Sequence, residues 1–218
     1  MKKFRGARMA LLGVLTGAAL FAALPGVASA GVLVQSAPNC DNGVNSQPFQ
    51  QWNDDNLYFL APGGNFEGSL DGWDLNRSGV VADQEPWQVH GDSGSKALRI
   101  PAGSSVVTST MCVGLEHPTM RFFAHRSGGG LLGSASQLLV TARVETSLGL
   151  VVEVPVVGNV SALSGNGTNW NKTPQHVVVA SLLPLLPGEH TPIQFRFTAV
   201  GTADWVIDDV FVDPRHRA

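Results

Sequence analysis

The sequence predicts an all-β fold, a jelly-roll β-sandwich with a short N-terminal extension. Beyond Ala61 the chain runs as short apolar stretches separated by Gly, Ser, Pro and Asn, a strand-and-turn rhythm. Several stretches alternate apolar and polar residues, most cleanly Ile193 to Ala199 and then Leu138 to Glu145, which is the period of a half-buried strand. After residue 30 no segment sustains helical periodicity over three turns.

Met1 to Ala30 has the form of a secretory signal. Lys2, Lys3, Arg5 and Arg8 precede an apolar run from Met9 to Leu24, and Ala28-Ser29-Ala30 offers a small-x-small cleavage site. That run is shorter than the ~20 residues a spanning helix needs. No Cys follows it to mark a lipoprotein, and the tail 215–218 carries no anchor. The expectation is an exported, extracellular protein with no membrane anchor after cleavage.

Without the signal the chain carries ten Lys and Arg against 17 Asp and Glu. Phosphate neutralisation needs basic clusters, so nucleic acid is excluded as a partner, and anionic membrane surfaces with it. Cys40 and Cys112 are the only cysteines. In an exported chain an even pair predicts a disulfide, stabilising by roughly 4 kcal/mol through loop entropy. Two cysteines without a close Cys or His companion make poor zinc ligands.

Residues 31–60 are rich in Asn, Gln, Asp and Pro and read as an extension tethered through Cys40, its Leu57 to Leu60 patch pairing as an edge strand. Ala61-Pro62-Gly63-Gly64 punctuates the chain, and the sandwich is expected over 61–214. Its strands are expected at Gly79–Val81, Trp87–His90, Ala97–Ile100, Val106–Thr108, Met120–His125, Leu138–Thr146, Leu150–Val157, His176–Leu182, Ile193–Ala199 and Trp205–Val212.

The last of these holds a contradiction. If Ile207 faces the core, strict alternation sends Asp209 inward as well and turns Val210 and Val212 outward. Either the strand bulges at Asp208-Asp209, or a partner such as a metal ion holds one of the carboxylates. With a metal, Asp208 is the expected ligand and Asp209 is expected to bond backbone at the bulge, with Ile207 and Val210 in the core.

The order Asn65-Phe66-Glu67-Gly68, Gly72-Trp73, Gly94 to Ile100 and Trp205 to Val210 resembles the galactose-binding-like jelly rolls, especially their carbohydrate-binding-module branch. The resemblance spans roughly residues 62 to 214. It implies a small β scaffold with a structural calcium ion between first and last strands, for which Glu67 and Asp208 are the matching side-chain ligands. Carboxylate oxygens suit that ion. The plainer alternative has Glu67 capping a turn and Asp208 solvated.

Other motifs invite catalytic readings. Gly91-Asp92-Ser93-Gly94 matches the block around a chymotrypsin-like nucleophile, but only His90 precedes it, as a near neighbour. A GDSL-type esterase would use Ser93 with Asp213 and His216, yet that fold is α/β, and the helices it needs are missing from the pattern. The six His form no metal-binding pair, and the adjacent carboxylates Asp54-Asp55 and Asp208-Asp209 point to opposite faces of a strand. Four Asn-x-Ser/Thr sequons begin at Asn76, Asn159, Asn166 and Asn171 and mark exposed segments. Of the five Trp, Trp73, Trp170 and Trp205 are expected in the core or at strand edges, and Trp87 is the one to test as a sugar-stacking platform. The function expected is therefore a non-catalytic binding module for carbohydrate or another cell-envelope component. The alternatives are a structural or interaction protein without a small ligand, and the Ser93 esterase.

Overall fold

The computed structural model describes residues 33, 43–90, 94–114, 119–146, 148–156, 160–161, 167–178 and 190–213. The signal segment, Cys40, Ser93 and His216 lie outside them. Among the described residues no helix is long and apolar enough to cross a membrane.

Among the described residues, fourteen short strands build two antiparallel sheets. They are β1 (Asn45–Ser46), β2 (Tyr58–Leu60), β3 (Gly79–Val81), β4 (Ala97–Ile100), β5 (Ser105–Val107), β6 (Met111–Gly114), β7 (Thr119–Ser127), β8 (Gln137–Glu145), β9 (Val151–Pro155), β10 (Val160–Ser161), β11 (Asn171–Lys172), β12 (His176–Val177), β13 (His190–Val200) and β14 (Asp204–Asp213). The first sheet is centred on β14, which pairs with β7 along one side and with β4 and then β2 along the other. The second is centred on β13, flanked by β8 on one side and by β5 and β6 on the other. From β4 onward the chain repeatedly crosses between sheets, at β4–β5, β6–β7, β7–β8, β10–β11, β12–β13 and β13–β14, the connectivity of a jelly roll. The expected β-sandwich is the observed one.

The core lies between the sheets, where apolar residues on alternate positions are drawn from both inner faces. Leu98, Ile100, Met120, Phe122, Trp205 and Ile207 of the first sheet meet Val106, Met111, Val140, Ile193, Phe195 and Phe197 of the second. The outer face of the first sheet is covered as well. Phe49, Tyr58, Phe123 and Phe211 form a second buried cluster, with Trp52, Trp87, Val89 and Trp170 packed against it. Its rings meet edge-on, tilted or stacked: Phe49 to Tyr58 edge-on at 4.9 Å, Trp87 to Phe123 tilted at 5.3 Å and Phe49 to Phe123 stacked at 5.7 Å.

The segment 43–60 is thus more than a tethered extension. β2 lies inside the sheet, between β1 and β14, and Phe49 and Tyr58 seal the outer face. The side chains of Asp54 and Arg121 form a nearly buried ion pair that ties this segment to β7, with Tyr58 Oη also donating to Asp54 at 2.8 Å. Burial, ahead of the neighbouring Asp54 carboxylate, pushes the Tyr58 hydroxyl up to about 12. A second departure concerns Trp87–His90, which is a run of turns and not a strand. Glu85 takes the backbone N–H groups of Trp87 and Val89, and Gln88 sits at φ 49°, so the segment curls back on a side chain and has no ladder to join.

Candidate functional site

The middle of β14 resolves the contradiction in its sequence. Asp208 pairs with Phe123 and Phe211 with Arg121, so Asp209 and Val210 together stand opposite the single residue Phe122, a β-bulge. Asp209 adopts φ 50°, and the phase of the strand slips by one. Trp205 and Ile207 face the core before the bulge, Val210 and Val212 after it, and Phe211 turns out to the aromatic cluster. The gap between β4 and β2 is filled by the turn at Ala61. Ala61 N–H donates to Val210 O at 2.8 Å and Val210 N–H to Gly64 O at 3.1 Å. A Cβ on Gly64 would lie 2.9 Å from Ala61 O and 3.1 Å from Val210 O, and only glycine permits that approach.

Both carboxylates of the bulge are buried, Asp208 at 1% exposure and Asp209 at 0%. The segment 82–90 folds over them and brings Glu85, itself 1% exposed, and His90. Asp208 accepts the N–H of Glu85 at 3.1 Å and of Asp209 at 2.8 Å. His90 Nδ1 lies 2.8 Å from Asp209 Oδ2. Asp208 thus bonds backbone, and Asp209 reaches a side chain where a backbone bond was expected. The solvated alternative for Asp208 is corrected by its burial. Burial, then the Asp209 charge, raises the Asp208 carboxyl to about 8. Burial also raises Glu85 and Asp209, while the hydrogen bond to Asp209 raises His90 against the opposing effect of its own burial. Asp209 Oδ1 and His90 Nε2 are buried and have no hydrogen-bond partner among the described residues.

Glu67, expected as the other calcium ligand, turns its Oε1 to the N–H groups of Ser95 and Lys96 at 2.6 and 2.7 Å, holding the entry to β4. Gly94 packs against this carboxylate and the His90 ring; an added Cβ would stand 2.9 Å from Glu67 Oε1 and 3.3 Å from His90 Nε2. Calcium takes six to eight oxygens. The described His and carboxylate groups close enough to share a cation are instead Glu85, His90 and Asp209, whose donor atoms lie within 4.8 Å of one another. With an imidazole among them, this set does not fit an all-oxygen calcium cage.

A different polar array occupies the outer face of the second sheet. Glu153, Arg143 and Gln194 stand in one row across β9, β8 and β13, with Thr141 and Arg196 paired in the neighbouring row. Arg143 Nη1 donates to Gln194 Oε1 at 2.7 Å, and Gln194 Nε2 to Thr110 Oγ1 at 3.2 Å. Arg196 Nε donates to Glu153 Oε1 at 2.9 Å and its Nη1 to Ser105 Oγ at 3.1 Å. Arg143 Nε lies 3.4 Å from the same Glu153 oxygen, and Thr141 Oγ1 donates to Glu153 Oε2 at 3.2 Å. The side chains of Arg143, Arg196 and Glu153 remain 25%, 30% and 39% exposed, enough to meet a ligand.

Trp87 sits on the opposite side of the sandwich. It is partly buried, its ring 5.4 Å from Trp52 and 5.3 Å from Phe123. Trp205 is fully buried; Trp73 packs on Phe66 at 5.3 Å and Trp170 on His125 at 4.5 Å. Asp213, the only described member of the esterase triad, accepts the Thr119 hydroxyl at 3.2 Å, and the α/β framework that such a triad needs is not what the described residues form. Cys112 is buried on β6.

No family model matches this chain, and no curated protein matches it. Among solved structures it is similar to the CBM22-1 xylan-binding domain of Paenibacillus barcinonensis Xyn10C, at 13% identity over 69% of this chain and 90% of that one, with a TM-score of 0.44. It is also similar to TmCBM61, solved in complex with β-1,4-galactotriose, at 16% identity over 73% of this chain and 98% of that one, with a TM-score of 0.38. Against the CBM22-1–GH10 modules of Clostridium thermocellum endo-1,4-β-D-xylanase 10B, at 13% identity and a TM-score of 0.44, it covers 69% of this chain and 27% of that one.

Proposed function

We propose that this chain is an exported, non-catalytic module that binds a glycan or another cell-envelope component on the outer face of its second sheet. The observation that carries the reading is the cross-linked array of Arg143, Glu153, Gln194 and Arg196. Each member is fixed by a neighbour and partly exposed, so little side-chain entropy is lost when a ligand's hydroxyl or carboxylate groups meet it. Planar guanidinium and amide groups held on rigid strands can receive such groups in pairs. The array itself contains no aromatic ring, so recognition here runs through hydrogen bonds and not ring stacking.

Incubation of the exported protein with insoluble polysaccharides and cell-wall preparations tests the proposal. Retention on at least one of them, reversed by the soluble glycan, is expected. A protein that stays in the supernatant throughout, at concentrations that reveal weak binding, is instead a structural or interaction protein without such a ligand.

A further inference from the structure

We propose that Glu85, His90 and Asp209 form a site for one divalent cation of the zinc class. Their donor atoms already lie within 4.8 Å of one another, contributed by a curled segment and by a strand bulge. Among the described residues, two polar atoms in this group have no hydrogen-bond partner while Glu85 and Asp209 are both ionised; a proton on Glu85 would supply one to Asp209. Asp209 is fully buried and its Oδ1 is unpaired; the side chain of His90 is 9% exposed and its Nε2 is unpaired. A buried, unpaired carboxylate oxygen costs its full desolvation, roughly 1–3 kcal/mol or more for a charged group, unless something occupies the place it faces.

The composition of the group selects the ion. One imidazole and two carboxylates are the donors of zinc and its neighbours, whereas calcium and magnesium take oxygen alone. Each Glu85 oxygen accepts one backbone N–H, Oε2 from Trp87 and Oε1 from Val89, which fixes the carboxylate's orientation and leaves each oxygen a further lone pair. Asp208 contributes a third buried carboxyl group next to the site, and a divalent cation would favour the ionised form of the carboxyl groups around it. Binding would pin the segment 82–90 to β14, and with it Trp87 and Val89, which pack on the aromatic cluster.

The test uses the full chain, stripped with chelator and titrated separately with zinc, calcium and magnesium chlorides, followed by calorimetry and thermal melting. One equivalent of zinc is expected to bind and to raise the melting temperature by about 5 °C at a hundredfold excess over Kd, with no shift from calcium or magnesium. His90→Gln, which keeps a donor toward Asp209, and Glu85→Gln are each expected to weaken zinc binding at least tenfold. Absence of a zinc shift in the folded wild type overturns the site. A calcium shift as large as that of zinc overturns the choice of ion. Undiminished zinc binding by both variants overturns the placement. If a variant fails to fold, the wild-type titration and the visible absorption of the cobalt-substituted protein decide, four-coordinate bands supporting the site and their absence refuting it.

Discussion

His90 and Asp209, 119 positions apart in sequence, meet at 2.8 Å between Nδ1 and Oδ2. This contact fastens a loop of turns to the one place where the central strand of the first sheet breaks register. Asp209 holds φ 50° there, a conformation that Asn and Asp tolerate and β-branched residues do not. In chelator, Asp209→Asn is therefore expected to stay within about 1 kcal/mol of wild type in urea unfolding, since it keeps both the backbone preference and an acceptor for His90. Asp209→Val is expected to lose about 3 kcal/mol or more. Equal stabilities for the two variants would show that neither the bulge conformation nor the His90 contact matters.

The bulge was legible because Trp205 to Val212 cannot be both continuous and buried. Ile207 and Val212 demand the same face and lie an odd number of residues apart, so a one-residue insertion or an inward carboxylate had to exist. The strand alternation of Ile193 to Ala199 likewise exposed Gln194, Arg196 and Thr198 in advance. Glu85 and His90 were hidden. His90 closes an apolar-looking run read as a strand, and nothing local marks Glu85 as buried; their meeting with Asp209 is long-range and set by the curl that Glu85 makes with Trp87 and Val89. Nor could Glu153 be joined to Arg143 and Arg196, because cross-strand register depends on hairpin geometry that the sequence of 146–150 does not specify.

Asp54 and Arg121 form a pair with only 11% and 7% of their side chains exposed. Arg121 also donates to Thr173 O and lies 4.5 Å over the Phe49 ring. Asp54→Ala leaves that guanidinium buried without its counter-charge, and a loss of about 3 kcal/mol in urea unfolding is expected. A loss under 1 kcal/mol would mean that the segment 43–60 is only loosely attached.

His176 is buried against Phe122, with Nδ1 donating to Pro174 O at 2.8 Å, and burial lowers it to about 4. In the unfolded chain the imidazole takes a proton near 6.5. Above that pH neither state is charged and the group is silent. As pH falls from about 6.5 toward 4 only the unfolded state gains the proton, so stability drops by up to about 1.4 kcal/mol per unit, roughly 3 kcal/mol in all. The stability of wild type minus that of His176→Gln, measured from pH 7.5 to 4, should fall by this amount. A pH-independent difference would contradict it.

The Cys40–Cys112 bridge is proposed from the export signal and the even cysteine count. Non-reducing mass spectrometry of the exported protein is expected to show the two peptides joined, two mass units below their reduced sum. Alkylation of both thiols without prior reduction would refute the bridge.

The most direct test of the binding proposal is affinity electrophoresis or titration calorimetry on whichever glycan retains the wild type, comparing Arg143→Ala/Arg196→Ala with Trp87→Ala. Removing two charged donors should weaken binding by tenfold or more, at about 1.5–3 kcal/mol for each charged hydrogen bond, and leave the melting temperature nearly unchanged because the array lies outside the core. Trp87→Ala should destabilise the fold but bind with unaltered affinity while folded. Loss of binding in Trp87→Ala with full affinity in the double arginine variant would contradict the account and move the ligand to the aromatic face.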